Sequence, residues 1–407
     1  MSARAEHSKL TPILFILLVV LGTTGPLAVD MYLPSFPAMA TQFGASATRI
    51  QLTLTAFLLG MAAGQLLWGP LSDRLGRALP LRLGTGLFVL TSVGAALAPT
   101  LESLIAARAL QGLGAAAGLV ISKAIVADTT SGVRTARMFS ILMTIGGVAP
   151  AVAPILGSFI AQIGGFRAVL WTLAAVAAIM CTGCLAFYKE TLPLTARSSG
   201  RYLAPLRQAI SRPRFVGYML QFAFGFACMM AYVSASPFVY QNVMGLSPRL
   251  YALAFGVNAL GLIAAGFTSA RLATRVPLRR TISVALSVML GASLLLLILV
   301  LLGVRSLALA AVIFILVASI GFTTGNTTGL ALAEVREVSG SGSALLGAAQ
   351  FAVGAMATPL VGMRGENSAL GLAVVLLCCA AVSFAALIYT ADRFHSDSAG
   401  LTLPARS

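Results

Sequence analysis

The amino-acid sequence predicts an all-α polytopic membrane protein, with twelve transmembrane helices in two pseudo-symmetric bundles of six. Three observations lead there. Of 407 residues, 58% are hydrophobic and 9% charged, with a mean hydropathy of +0.96, whereas a soluble domain carries roughly a quarter of its residues as charges. The charges divide the chain into apolar runs, each near the roughly 20 residues that span a bilayer. One sizeable polar stretch, rich in Arg, Pro and Ser, cuts the series in the middle.

Taken in order, the spans are 12–36, 49–68, 81–99, 102–125, 137–162 and 167–188, then 214–240, 249–270, 281–303, 306–333, 340–362 and 367–390. The first begins behind Arg4 and Lys9. A signal peptide cleaved near Ala38-Met39-Ala40 is the competing reading, but the run is long enough to span and its loss would leave an odd number of helices. Arg74, Arg77 and Arg82 follow span 2, and Arg134 and Arg137 follow span 4. Lys189, Arg197, Arg201, Arg207, Arg212 and Arg214 crowd the centre, Arg271, Arg275, Arg279 and Arg280 follow span 8, and Arg393 follows span 12. The alternate connections hold only Arg49, Arg167, Arg249, Arg305 and Arg364. Bases concentrate on the cytoplasmic side, so both termini are expected in the cytoplasm. Residues 1–188 form the first bundle, 189–213 a cytoplasmic linker, 214–390 the second bundle and 391–407 a tail.

The net charge of +16 is thereby explained by topology, and nucleic acid is not an expected partner. Cys181, Cys184, Cys228, Cys378 and Cys379 all lie in apolar runs, which argues against disulfides, and the Cys181-x-x-Cys184 spacing reads as helix packing before redox or metal chemistry. His7 and His395 sit near the termini, so a proton carrier inside the membrane must be a carboxylate. No P-loop pattern occurs; no cofactor is expected, and transport would run on a gradient.

Residues 69–77 read GPLSDRLGR between two apolar runs. Glycines allow tight turns and close helix approach, and an acid among bases can pair with neighbouring helices at the membrane surface; a bare charged hairpin is the alternative. The segment resembles the loop between helices 2 and 3 of the major facilitator superfamily, with Gly69, Asp73, Arg74, Gly76 and Arg77 on the motif's positions. An echo follows span 8, where Gly266 precedes Arg271 and Arg275 without an acid; matching loops suit an internally duplicated transporter.

Asp30 is the acid furthest inside a long apolar run, in the outer part of span 1. An ionised carboxylate there costs several kcal/mol unless solvated or paired, which suits a group that binds and releases a proton; a wet helix-end acid is the other reading. Arg108, inside span 4, needs a carboxylate, a carbonyl, a water-filled cavity or the interface, and Asp30 is a candidate partner. With Leu104, Gln111, Gly112 and Gly114 it resembles the helix 4 motif of drug/proton antiporters, which implies a part in proton coupling. Gly147, Pro150, Pro154 and Gly157 on span 5 resemble the antiporter motif of export-type members, with Ala153 where the pattern has glycine; ordinary small-residue packing competes. By the same resemblance Asp128 pairs with Arg77 to hold one face, Lys123 being a rival partner. Glu334, Arg336 and Glu337 read as a solvated cluster.

Tyr32, Tyr232, Phe238, Asn258 and Asn326 are the candidate substrate contacts, since a cavity with aromatics, methionines such as Met229 and Met230 and a few amides fits a small amphipathic, mostly uncharged ligand. Asp30 to Pro34 with Pro37, the 69–77 stretch, the Arg108 motif and the run from Ser234 to Tyr240 together resemble the bicyclomycin-resistance branch of twelve-helix drug/proton antiporters. That resemblance implies a monomeric, non-enzymatic efflux transporter of the bacterial inner membrane. It would exchange protons for chloramphenicol, florfenicol, bicyclomycin or similar compounds by alternating access. A metabolite or sugar exporter on the same scaffold is the rival, and a membrane-embedded enzyme a more distant one.

Overall fold

A computed structural model describes residues 11–130, 132–197 and 203–399; Arg4, His7, Lys9 and Arg201 lie outside the described residues. Helix α1 (Pro12–Asp30) opens on Thr11, whose hydroxyl accepts the Leu14 N–H and spares the first turn an orphan donor. It stops at Asp30 instead of running to residue 36. Pro34 has no N–H to donate and disfavours helical geometry at the residue before it. The chain therefore turns through a 3-10 segment (Leu33–Ser35) into a short α2 (Phe36–Phe43).

α3 (Ala47–Leu75), α4 (Ala78–Leu97) and α5 (Leu101–Thr129) follow, with Ser46 and Thr100 capping α3 and α5. The stretch Gly132–Phe187, α6, comprises two helices, the predicted spans 5 and 6, joined across a kink where Gly164 and Gly165 take non-helical angles. Gly165 takes φ +67°, which only glycine adopts at no steric cost. The predicted linker contains a short helix, α7 (Leu203–Ile210), on the basic end. The remaining helices are α8 (Pro213–Phe238), α9 (Pro248–Leu272), α10 (Leu278–Leu301), α11 (Leu307–Glu334), α12 (Ser339–Leu360) and α13 (Leu370–Ala399). Among the described residues eleven helices are long and apolar enough to cross a membrane; the break in α6 divides one of them, giving twelve spans.

The packing repeats. In the first half α5 lies against α1, α3 and α4, and α4 against α6; in the second, α11 lies against α8, α9 and α10, and α10 against α13. The repeat reaches single glycines: a methyl on Gly112 of α5 would strike the Phe57 carbonyl of α3, and one on Gly321 of α11 would strike the Leu262 carbonyl of α9. Such backbone-to-backbone approach is what holds membrane helices together where water supplies no hydrophobic drive. The halves meet along α3 with α12 and α6 with α9. Leu90, Ile163, Ile179 and Leu302 point outward, each more than 70% exposed, as a lipid-facing surface requires.

Candidate functional site

Between the halves lies a cavity of about 340 Å³. Its walls are mainly apolar, with Phe226, Met229, Met230, Tyr232 and Phe351 from the second half facing α1, α5 and α6. Asp30, the last residue of α1, closes one end and is 4% exposed. Among the described residues its carboxylate has neither an ion pair nor a hydrogen-bond partner.

Arg108 is fully buried beside this helix end. Because α1 stops at Asp30, the Ala28 carbonyl lacks the amide that a continuing helix would present, and Arg108 Nη2 donates to it at 2.8 Å. Nη1 donates to Gln111 Oε1 at 2.5 Å, and Gln111 Nε2 passes the chain on to Ser92 Oγ at 2.8 Å. The guanidinium lies 4.4 Å from the ring centroids of both Tyr32 and Phe57. The carbonyl and the two rings thus receive the charge, and Asp30 is not its partner.

On α6, Pro150 lines the cavity, and Pro150 and Pro154 both lie within the helix. Gly157 sits where a methyl would meet the Met31 carbonyl, so it seats α6 against the break in α1. Gly147 lies on the same helix.

The 69–77 stretch builds a second cluster at the basic end. Arg77 Nε donates to Asp128 Oδ2 at 2.9 Å, and Nη1 donates to Ser72 Oγ at 2.9 Å and to the Asp73 carboxylate. Burial works to lower the Arg77 pKa, but Asp128 and Asp73 outweigh it and raise it. Glu190, from the start of the linker, accepts the backbone N–H groups of Arg77 at 2.9 Å and Ala78 at 3.1 Å, and so caps α4. Gly76 takes φ +90° and would press a methyl into Glu190, which accounts for glycine there. A methyl on Gly69 would only reach ordinary contact with Val120, and Arg74 is exposed.

Of the five sequence-derived substrate contacts, Tyr232 alone lines this cavity. Tyr32 is turned away to share a hydrogen bond with Thr53 at 3.0 Å. Phe238 packs on Phe36 across the half-to-half contact, centroids 6.2 Å apart. Asn258 donates to the hydroxyls of Tyr232 and Tyr240 at 2.8 and 3.1 Å, and Asn326 to Ser269 Oγ at 2.9 Å. Their polar groups are satisfied by neighbouring helices. Sequence reasoning missed Phe226, Gln350 and Phe351, had Lys123 only as a rival partner for Asp128, and passed over Glu190. For Lys123 a signal existed: it is fifteen positions, about four helical turns, beyond Arg108, and so returns to much the same face of α5.

Contacts that bridge the halves cluster at the end opposite the basic one. Gln241 Nε2 donates to the Pro34 carbonyl at 3.2 Å, Gln51 Nε2 to the Ser234 carbonyl at 3.3 Å and Arg249 Nε to Gln162 Oε1 at 2.9 Å, while Thr55 and Thr358 share a bond at 2.5 Å. These contacts close the halves together on that side, and Lys123 is the lining residue of α5 furthest toward the basic end.

A twelve-span duplicated helical bundle around a midplane cavity is a transporter architecture. The chain belongs to the Major Facilitator Superfamily, which it matches over residues 18–359, and it is a multi-pass membrane transporter rather than an enzyme. It is 36% identical to an uncharacterised MFS-type transporter, YdgK, of Bacillus subtilis, over 94% of this chain and 96% of that one. It is 29% identical to a bicyclomycin resistance protein homologue of Haemophilus influenzae, over 95% and 98%. Among solved structures it is similar in fold to a D-xylose-proton symporter, with a TM-score of 0.72 at 14% identity, over 93% and 97% of the two chains.

Proposed function

We propose that this transporter is a proton-driven exporter of small amphipathic, drug-like compounds in a bacterial inner membrane, with both termini cytoplasmic. The observation that carries this reading is the cavity: an apolar, aromatic-walled space whose closed end holds one buried, unpartnered carboxylate, Asp30. Charge at such a place is costly without water or a partner, so proton occupancy of Asp30 depends on which side the cavity faces. Arg108 acts through the α1 end it holds. Residues 1–188 and 214–390 rock as two bundles joined by 189–213, with 391–407 as a tail. Gly69, Asp73, Arg74, Gly76, Arg77 and Asp128 hold the basic end of the first bundle, and Gly147, Pro150, Pro154 and Gly157 let α6 bend against α1.

The likeness to the bicyclomycin resistance homologue supports an antibiotic as substrate, in the class of bicyclomycin or chloramphenicol. One proton crossing a total driving force of roughly 180 mV yields about 4 kcal/mol, enough for roughly a thousandfold gradient of a neutral compound. The test is uptake of labelled chloramphenicol into inside-out vesicles energised by a pH gradient. Uptake is expected to collapse with a protonophore and in Asp30→Asn. Proton-coupled uptake that survives Asp30→Asn would remove Asp30 as the proton site, and uptake indifferent to the protonophore would remove proton drive altogether.

A further inference from the structure

Among the described residues two charged side chains line the cavity, and the proposed export cycle uses only Asp30. The other is Lys123. Arg108 marks the level of the α1 end, and Lys123 lies fifteen positions further along α5, about 22 Å at 1.5 Å per residue. Asp30 therefore stands at the closed end and Lys123 toward the basic end, along one continuous wall.

Among the described residues Lys123 has no counter-ion. The acid nearest it on α5, Asp128, is taken by Arg77 at 2.9 Å, and every ion pair among the described residues uses an arginine as its base. The other polar side chains that line the cavity among the described residues, Ser122, Tyr232 and Gln350, are uncharged. An ammonium drawn out of water is costly unless an opposite charge or good acceptors meet it. With Asp30 protonated, the described lining of the cavity carries one uncompensated positive charge, that of Lys123. The same cavity is lined by Phe226, Met229, Met230 and Phe351, a soft, adaptable wall suited to an aromatic or aliphatic body.

We infer that Lys123 is the charge-selecting contact of the cavity: beside neutral compounds it favours an amphiphile bearing a carboxylate or sulfonate next to its apolar body over a cationic one of the same shape. Cationic amphiphiles meet a like charge on the way in and are rejected. The inference rests on the exporter reading for its physiological meaning, but selection by charge is a property of binding and needs no gradient. It also adds to the drive: a monoanion moving outward is favoured by an interior-negative membrane potential that leaves a neutral compound unaffected.

The experiment uses three compounds of one shape and different charge: 2-naphthoate, 2-naphthamide and protonated 2-naphthylmethylamine. Each is titrated at neutral pH against the full-length protein in lipid nanodiscs, with empty nanodiscs subtracted. The wild type is expected to bind naphthoate at least about tenfold tighter than the ammonium compound. In Lys123→Gln the ratio falls to within about twofold, in Lys123→Glu it inverts, and in Lys123→Arg it is kept. Unchanged naphthamide affinity in each variant shows that the cavity still forms. Absence of specific naphthoate binding, or the wild-type ratio persisting in Lys123→Gln, overturns the inference and leaves Lys123 as an interfacial lysine reaching for headgroups. Charge selection without proton-driven uptake would instead sink the exporter reading and keep the site.

Discussion

Arg108→Lys isolates what the geometry of the guanidinium contributes, because the charge, and with it most of the burial cost, is retained. A lysine ammonium is a compact point donor on a flexible stem and cannot reach both the Ala28 carbonyl and Gln111 while lying flat between two rings. The variant forfeits one charged hydrogen bond of about 1.5–3 kcal/mol, and some of the cation–π attraction to Tyr32 and Phe57, about 0.5–2 kcal/mol per ring. The expected loss is about 2–4 kcal/mol of stability. Trp68, whose indole N–H donates to the Leu113 carbonyl on α5 at 2.7 Å, reports the loss through its fluorescence during unfolding in nanodiscs. Proton-driven uptake falls with it, because Asp30 is two residues beyond the carbonyl that Arg108 holds. A variant within about 0.5 kcal/mol of wild type, the range of an ordinary surface change, would refute the claim that Arg108 fixes the end of α1.

Three further perturbations test the surrounding architecture. Arg77→Ala strands the carboxylate of Asp128, whose side chain is 18% exposed, so its cost should lie below the roughly 3–5 kcal/mol of a fully buried pair; additive losses in a double-mutant cycle with Asp128→Asn would show the two do not interact. Burial works to raise the Glu190 pKa, but the N–H groups of Leu192, Arg77, Ala78 and Thr191 outweigh it and hold it below the ordinary value. The stabilisation is full at neutral pH and lost as pH falls through the depressed pKa. Hydrogen exchange at Arg77 and Ala78, corrected for intrinsic rates, should therefore quicken only below the ordinary glutamate range, and in Glu190→Gln already at neutral pH; identical exchange in that variant would remove the cap. Gly157→Ala presses a methyl toward the Met31 carbonyl, and overpacking of this kind costs about 1–3 kcal/mol. A lower melting temperature and weaker uptake are expected, and an unchanged melting temperature would mean α6 does not seat there.

Twelve spans were legible because charge is scarce enough in this chain to act as punctuation. What escaped the sequence was where a span stops being straight. Apolar composition runs unbroken past Asp30, so nothing in hydropathy marks the end of α1, and that break follows from Pro34; the kink at Gly164 and Gly165, by contrast, falls in the gap between the predicted spans 137–162 and 167–188. At the site, Asp30 and Arg108 stood out because ionisable groups inside apolar runs need a special environment. Asn258 and Asn326 obeyed the same rule but found their partners in Tyr232, Tyr240 and Ser269. An amide's need for a partner is written in the sequence, and whether that partner is protein or ligand is not. Glu190 escaped for the opposite reason: an acid in a polar linker looks solvated, and only the fold brings the α4 end beneath it.

The energy scale of the closed end is consistent with a carrier that switches. The bonds joining the halves there, from Gln241 to Pro34, Gln51 to Ser234, Arg249 to Gln162 and Thr55 to Thr358, are each worth about 0.5–1.5 kcal/mol net. Together they come to a few kcal/mol, the same order as the roughly 4 kcal/mol that one proton delivers across the membrane. In the proposed cycle a tighter seal would hold the cavity on the basic side, and a looser one would let protons pass without carrying anything outward. Removing one bond with Gln241→Ala, which leaves the cavity wall intact, should therefore shift the population away from the basic-side-open state by about 2–10-fold. Accessibility of Met31→Cys to an impermeant thiol reagent from the opposite side, in a background without the native cysteines, measures that shift. Labelling no faster with Gln241→Ala than without it would place the barrier to opening elsewhere than in this seam.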